Sequence, residues 1–194
     1  MLLKQRFGPQ AQHQNGWLSA ISFAVPNHNY FEDTDMLTNG LYATWQWSSA
    51  HKDTVIRKLI MVADQQGVKV MRGYSPREYV EPGTSVQNRE YRGICLYIKH
   101  KGYVLLTFYA TPGKMVSTTF IAPTQLAEHF SELFIGFTAI SRDELPGMPR
   151  LSRIILQKIK PSKHHLIKEA HTKAFFDLDE VPPAFADLLS APVA

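Results

Sequence analysis

Two consecutive apolar runs joined by a short glycine-containing connection constrain the fold of this chain more than any other feature. Residues 91–99 and 103–110 are apolar on both faces, and His100-Lys101-Gly102 lies between them. Glycine readily takes the positive φ of a tight hairpin connection, and strands that are apolar on both faces are typical of the interior of a sheet. We therefore predict a β-hairpin at the centre of an antiparallel sheet.

Shorter segments add further strands. Alternation of side chains predicts a strand over 44–47, with Trp45 and Trp47 on one face. Similar patterns predict strands over 17–25, 68–71 and 115–121.

Helices are predicted on either side of this hairpin. The first has apolar residues at i, i+3, i+4 and i+7, an N-cap at Ser48 or Ser49, and Gly67 at the C′ position. The second starts at Pro123-Thr124 and carries an apolar stripe. The residues that define the first are Ile56, Leu59, Ile60 and Ala63, and those of the second are Leu126, Phe130, Leu133, Phe134 and Phe137.

The C-terminal region is predicted to be helical. Leu151, Ile154, Ile155 and Ile159 fit a short amphipathic helix, although residues 154–156 fit a strand equally well. Further helical patterns follow at 167–174 and after Pro182-Pro183, where Phe185, Leu188 and Leu189 are apolar.

These elements predict an α+β fold in which helices pack an antiparallel sheet, with a helical basic C-terminal appendage. The predicted division is an α+β domain over 1–140, a Pro/Gly-rich linker over 141–149, and the helical appendage over 150–194.

Composition excludes several classes of protein. With 194 residues and 44% hydrophobic residues, the chain can bury a sizeable core, and it is neither collagen-like, coiled-coil nor wholly disordered. A lone Cys95 allows neither an internal disulfide nor a thiolate zinc site. No apolar run is long enough for a signal peptide or a membrane span. We expect a cytoplasmic protein as the sequence is written, or a periplasmic one if a leader has been removed.

The formal net charge of +4 is concentrated in one segment. Residues 150–173 hold seven Lys/Arg against one acidic residue, whereas residues 174–194 hold four acidic residues and no basic one. A basic segment can contact nucleic-acid phosphates, but the acidic tail can also neutralise it. The candidate phosphate contacts are Arg150, Arg153, Lys158, Lys160, Lys163, Lys168 and Lys173.

Residues 50–140 resemble the Mog1/PsbP/DcrB-like group. The resemblance is carried by Tyr91-Arg-Gly93, by Gly102-Tyr-Val-Leu-Leu-Thr-Phe-Tyr-Ala-Thr-Pro112, and by His129-Phe-Ser-Glu-Leu-Phe134 through Phe137. Residues 141–194 have no counterpart in that group. The resemblance implies a binding or accessory domain, because members are mostly noncatalytic partners of other proteins, and it supplies no catalytic residue.

No complete catalytic or metal-binding arrangement is visible. The G-x-S-x-G, P-loop and G-x-G-x-x-G motifs are absent. The odd separation of Cys95 and His100 places them on opposite faces of one strand, so Cys95 is expected to pack as a small hydrophobe. His164, His165, Glu169 and His171 lack a convergent ligand set. We expect no metal and no cofactor.

The favoured function is a noncatalytic binding protein, an adaptor or chaperone-like accessory protein of bacterial type that engages a protein partner in a secretion or transfer system. The candidate apolar contacts are Trp45, Trp47, Tyr103 and Tyr109. One alternative is a nucleic-acid-binding protein that uses residues 150–173. Another is an enzyme, which requires a pocket with convergent titratable groups, for example near the loop over 73–88.

Overall fold

The computed structural model describes residue 23 and residues 36–99, 101–109, 116–124, 133–141, 146, 150–160, 169 and 172–192. The chain divides into two compact units, Met1–Glu32 and Asp33–Ala194. Phe23 is the single described residue of the first unit, and all the elements below belong to the second. In the part that the structure describes, no helix is long and apolar enough to span a membrane.

The second unit is an antiparallel β-barrel of eight strands. Each strand pairs with its neighbour in sequence, and the eighth strand returns to pair with the first, which closes the sheet. The strands are β1 (Gly40–Trp47), β2 (Val55–Gln65), β3 (Val68–Tyr74), β4 (Glu90–Ile98), β5 (Gly102–Tyr109), β6 (Val116–Pro123), β7 (Leu133–Ile140) and β8 (Leu151–Lys158).

Short elements lie outside the barrel wall. Between β3 and β4 are a 3-10 turn over Arg77–Tyr79 and a one-turn helix, α1 (Val86–Arg89). After β8 follow a two-residue strand, β9 (Phe175–Phe176), a 3-10 turn over Leu178–Glu180 and a helix, α2 (Pro183–Ser190). β9 pairs with the start of β2 at Val55 and Ile56.

The predicted α+β fold is wrong, and the largest error is the helix over residues 49–67. Residues 55–65 form β2, whose residues Val55 to Val62 pair with β1. The turn to β3 has φ of 55° at Gln66 and 79° at Gly67, as a type I′ hairpin turn requires. Gly67 therefore serves a hairpin rather than a helix C-terminus. Both faces of β2 contact apolar side chains, so its sequence lacks the strict alternation of apolar and polar residues that identifies a strand. The spacing of its apolar residues resembles that of a helix instead.

The other two helical predictions fail for a related reason. Leu133, Phe134 and Phe137, predicted to lie on a helix after Pro123, belong to β7, whereas Leu126 and Phe130 lie outside the described residues. The segment 151–158, predicted to begin a helical appendage, is β8 and closes the barrel, so the alternative of a strand at 154–156 is the correct one. Isoleucine-rich segments favour strands when neighbouring strands can pair with them.

Several predicted elements are confirmed. The central hairpin is β4 and β5, with Tyr97 opposite Tyr103. The strands predicted at 44–47, 68–71 and 115–121 correspond to β1, β3 and β6. The last predicted helix is α2, which buries Phe185 and Leu189. Of the strand predicted over 17–25, only Phe23 is described. Of the helix predicted over 167–174, residues 169 and 172–174 are described, and residues 172–174 are not helical.

The barrel separates two apolar clusters. The inner cluster fills one end of the barrel with aromatic and aliphatic side chains, among them Tyr42, Tyr97, Tyr103 and Phe134. The outer cluster lies between β1, β2 and β8 on one side and the segment 176–189 on the other. Trp45 packs against Phe176 and Phe185 with ring centroids 5.2 and 5.9 Å apart, so α2 and β9 are held to the outside of the wall.

A buried ion pair ties the C-terminal segment to β2. Arg57 forms an ion pair with Glu169, and their side chains are only 6% and 17% exposed. Burial lowers the pKa of Arg57 to about 10, so the guanidinium remains charged at neutral pH. The backbone N–H of Arg57 donates to Ala174 O at 2.7 Å, and the guanidinium lies 5.2 Å from the Trp45 ring centroid.

We predict that Glu169→Gln lowers the free energy of unfolding by about 3 kcal/mol, because it leaves the Arg57 charge buried without its counter-ion. Urea denaturation of the wild type and the variant measures the loss. The matched control is Asp53→Asn, which breaks an exposed pair with Lys52 at 3.8 Å (side chains 67% and 82% exposed). The control is expected to change stability by no more than about 0.5 kcal/mol. Equal effects of the two substitutions would contradict the structural role of the buried pair.

Candidate functional site

The inside of the barrel is apolar at one end and polar at the other. Strand alternation directs every second side chain inward. Toward the end where β1 finishes and β2 begins, these inward side chains become small and hydroxyl-bearing. The Thr119 hydroxyl donates a hydrogen bond to the Thr138 hydroxyl oxygen at 2.9 Å. The polar inward residues are Thr44, Gln46, Lys58, Thr107, Ser117, Thr119 and Thr138.

The small side chains leave a cavity of about 60 Å³ in this half of the barrel. An eight-stranded barrel is just wide enough for its side chains to fill, or for one small ligand. The cavity exists because hydroxyl-bearing side chains replace the tyrosines and phenylalanine that fill the opposite end. A cavity of this volume has room for a few groups of the size of a water molecule. Residues of all eight strands surround it, and β3 contributes Met71.

Lys58 supplies the one ammonium group among the described lining residues. It is half-buried on β2, opposite Thr44 of β1, whose hydroxyl donates to Lys58 O at 3.4 Å. Its ammonium lies 5.2 Å from the ring centroid of Tyr79 and 6.0 Å from that of Tyr91. Within the described ranges it has no carboxylate partner. The cation therefore faces π electrons and hydroxyl groups rather than a negative charge.

Burial lowers the pKa of Lys58, and the nearby Tyr79 hydroxyl acts in the opposite direction. Although part of the Lys58 surface is accessible, protein atoms surround the ammonium closely enough to remove much of its hydration. Desolvation without a compensating charge disfavours the protonated amine. Lys58 is thus both a cation that an anion would stabilise and an amine that loses its proton more easily than an exposed lysine.

Two tyrosines bound the space around Lys58. The hydroxyls of Tyr79 and Ser49 are hydrogen-bonded at 2.5 Å, which joins the 3-10 turn to the connection between β1 and β2. Tyr91 is buried on β4, and burial raises the pKa of its hydroxyl, with a smaller contribution from Tyr109. Tyr91 therefore stays protonated and can donate a hydrogen bond. A Cβ at Gly73 would lie 2.5 Å from the Tyr91 hydroxyl, so a glycine on β3 makes room for this ring.

The residues predicted to contact a protein partner do not form one surface. Trp45 and Trp47 point outward from β1, where Trp45 is buried under Phe176 and Phe185 and the Trp47 indole donates to Leu189 O at 3.0 Å. Tyr103 is fully buried at the apolar end of the interior, and Tyr109 lines the cavity. Partner binding through these four side chains stays a prediction.

The basic residues predicted to contact phosphates are also dispersed. Arg153 donates to Ala191 O and Pro192 O, at 2.8 and 2.6 Å, and Lys158 hydrogen-bonds Thr38. Lys173 pairs with Glu180 of the acidic tail. Arg150 and Lys160 are exposed, whereas Lys163 and Lys168 lie outside the described residues. Three of the predicted cations therefore already have protein partners.

Cys95 packs inside the barrel next to Tyr97 and Leu105, as predicted for a small hydrophobe. His100, His164, His165 and His171 lie outside the described residues. Glu169, considered above as a metal ligand, is the ion-pair partner of Arg57. No cluster of three or more metal-ligating side chains occurs among the residues that the structure describes.

Sequence reasoning missed Lys58 because it placed this residue on a helix. A signal was present in the alternation Ile56, Lys58, Ile60, Val62, which puts a lysine on the same face of a strand as three large apolar residues. The loop over 73–88, named as the place for a pocket, does contribute Tyr79 beside Lys58. The other lining residues gave no signal, since threonine is common in strands whether it faces inward or outward.

Comparison with family models, curated proteins and solved structures finds no match to this chain. None of these comparisons bears on the resemblance of residues 50–140 to the Mog1/PsbP/DcrB-like group, which stays a prediction.

We predict that Lys58→Met raises the free energy of unfolding by about 1 kcal/mol at pH 7 in the absence of ligand, because it removes a desolvated charge that has no counter-ion among the described residues. The pKa of Lys58 is lower in the folded state than the ordinary value of 10.5. The unfolded chain therefore binds more protons between these two values, so wild-type stability gains from Lys58 as pH rises through that window. The variant is expected to lack this gain.

Urea denaturation at several pH values between 7 and 10.5 measures both effects. Lys52→Met serves as the control, since it changes an exposed lysine on the same side of the barrel. A loss of stability in Lys58→Met at pH 7 that exceeds the control would show that the ammonium is well compensated.

Proposed function

We propose that the chain is a noncatalytic binding protein whose barrel holds a small ligand with an anionic group, such as a carboxylate or a phosphate. The observation that carries this proposal is Lys58, which lines the cavity and whose ammonium has no carboxylate partner among the described residues. A ligand anion would supply the missing charge.

The electrostatic argument rests on the cost of burying the ammonium. A desolvated cation interacts strongly with an anion because the surroundings screen the pair less than water does. The lowered pKa of Lys58 reports this desolvation. Anion binding would favour the protonated amine, so the interaction stabilises the ligand and the charged lysine together.

The other side chains that line the cavity can contact the uncharged parts of such a ligand. Threonine and serine hydroxyls both donate and accept, and the amide of Gln46 does the same through separate atoms. Apolar side chains of Ile60, Leu105 and Ile154 complete the wall. Polar groups that fix orientation within a largely apolar wall are typical of small-molecule sites. The cavity volume of about 60 Å³ limits the enclosed part to a few non-hydrogen atoms.

Binding rather than catalysis is favoured by the set of titratable groups. General acid–base catalysis usually needs a group whose pKa lies near neutrality within hydrogen-bond reach of the substrate. The described cavity lining holds Lys58, Tyr91 and Tyr109 as its titratable side chains, with no histidine and no carboxylate. A cation with hydroxyl groups around it is sufficient to hold an anion.

Adaptor function toward a protein partner, a bacterial secretion or transfer role and nucleic-acid binding through residues 150–173 stay predictions from the sequence. A small-ligand site inside the barrel is compatible with an accessory role, because a bound ligand can occupy the interior while a partner contacts the outside.

The test is titration of the wild type with sodium formate, acetate and phosphate at constant ionic strength, followed by thermal unfolding and calorimetry. We expect at least one of these anions to bind the wild type and to raise its unfolding temperature. Lys58→Met should weaken that binding at least about tenfold, equivalent to about 1.4 kcal/mol. Binding should also weaken as pH rises through the lowered pKa of Lys58, since the neutral amine no longer attracts the anion.

Lys52→Met is the matched control and is expected to bind the anion as the wild type does. Sodium chloride at the same ionic strength separates specific binding from general screening of charge. Equal affinities of Lys58→Met and the wild type for every anion would contradict the proposed site.

A further inference from the structure

We infer that the Lys58 amine captures small aldehydes and α-oxo acids reversibly, by forming an imine inside the barrel. This inference rests on the proposed function, because it places a carbonyl group of the ligand in the same cavity. It goes further by naming the bond that forms and the chemical class of the ligand.

The geometry brings an amine and a protonated phenol to one enclosed space. The Lys58 ammonium lies 6.0 Å from the centroid of the Tyr91 ring, and both residues line the cavity. The amine and the Tyr91 ring therefore border the same cavity, which the hydroxyl-bearing side chains of Thr44 and Thr107 also line.

The lack of a carboxylate partner among the described residues is what makes the amine available. In many sites a neighbouring carboxylate keeps a lysine protonated and therefore not nucleophilic. Within the described part of the chain, Lys58 has no such neighbour. The titratable groups that face it are Tyr79 from the 3-10 turn, Tyr91 from β4 and Tyr109 from β5.

Burial supports the same conclusion. It lowers the pKa of Lys58, which increases the fraction of neutral amine at a given pH compared with an exposed lysine. It raises the pKa of Tyr91, which keeps that hydroxyl protonated as a hydrogen-bond donor to a carbonyl oxygen. Lysines desolvated in a pocket are the ones that form Schiff bases with carbonyl compounds.

The step balances without any oxidant, reductant or further reactant. The lone pair of neutral Lys58 Nζ attacks the carbonyl carbon, and the carbonyl π electrons move to oxygen. A proton passes from nitrogen to that oxygen and gives a neutral carbinolamine. The hydroxyl group then leaves with a second proton as water, while the nitrogen lone pair forms the C=N bond. Both hydrogens of the amine end in the water, and addition of water reverses the reaction.

The test is reductive trapping in the folded full-length protein. The wild type is incubated at pH 7.5 with glyoxylate or with propanal, and sodium cyanoborohydride is added to reduce any imine that forms. The reaction is stopped before labelling is complete, and digestion followed by mass spectrometry measures the alkylation of each lysine. We expect the rate at Lys58 to exceed the rate at exposed Lys52 and Lys160 by at least about tenfold, because burial favours the neutral, nucleophilic form of the Lys58 amine. Equal or slower labelling of Lys58 would overturn the inference.

A competition experiment avoids dependence on a variant that fails to fold. An anion that binds in the titration above should slow glyoxylate labelling of Lys58 and leave Lys52 unaffected. Lys58→Arg adds a matched variant, because arginine retains the cation but cannot form the imine. It should keep anion binding and lose the trapped product, whereas Lys58→Met should lose both.

The outcomes distinguish the two proposals. Anion binding that depends on Lys58, without selective trapping, would overturn the imine and leave the proposed function standing. Selective trapping by propanal without anion binding would support the imine and overturn the anionic ligand. The pH dependences also differ, since trapping should increase and anion binding should decrease as pH rises through the pKa of Lys58.

Discussion

Pairing between β1 and β8 is the constraint on which the rest of the structure depends. Five residue pairs, from Tyr42 with Lys158 to Gln46 with Ile154, join strands that are more than a hundred residues apart in sequence. This pairing removes the two free edges that an open eight-stranded sheet would expose. The pairing also encloses one face of every strand inside the barrel. This creates the buried interior and the cavity within it. The outer cluster around Trp45 depends on it too, because α2 packs on β8.

Within that closed wall, the choice of inward side chains decides what the barrel can do. Large aromatic residues fill one end, and hydroxyl-bearing residues leave space at the other. Lys58 lies at the second end, where its desolvation is offset by π faces and hydroxyls but by no described carboxylate. Such an arrangement costs stability when the cavity is empty and favours a ligand that brings negative charge. Stability and binding are thus opposed at this one residue.

The hairpin of β4 and β5, the strands at 44–47, 68–71 and 115–121, and the helix after Pro182 could be predicted because local patterns and turn residues agree with the final structure. β2 and β7 could not, and in β8 only residues 154–156 fitted a strand as well as a helix. In each, apolar side chains face both the barrel interior and an outer neighbour, which removes the alternation that identifies a strand. Because β2 was predicted to be a helix, Lys58 was not recognised as an inward-facing residue. A lysine on an amphipathic helix is expected to face solvent.

The sequence by itself determined a chain with enough apolar residues for a core, a central hairpin, a lone cysteine suited to packing, and a basic segment followed by an acidic tail. Only the tertiary structure decided that the sheet closes, that residues 151–158 belong to it, and that Lys58 faces inward. The physical reason is that strand pairing is a contact between distant segments, whereas sequence patterns report local preferences. The alternation over 56–62 puts Lys58 on an apolar face, but the burial that lowers its pKa follows only from closure of the barrel.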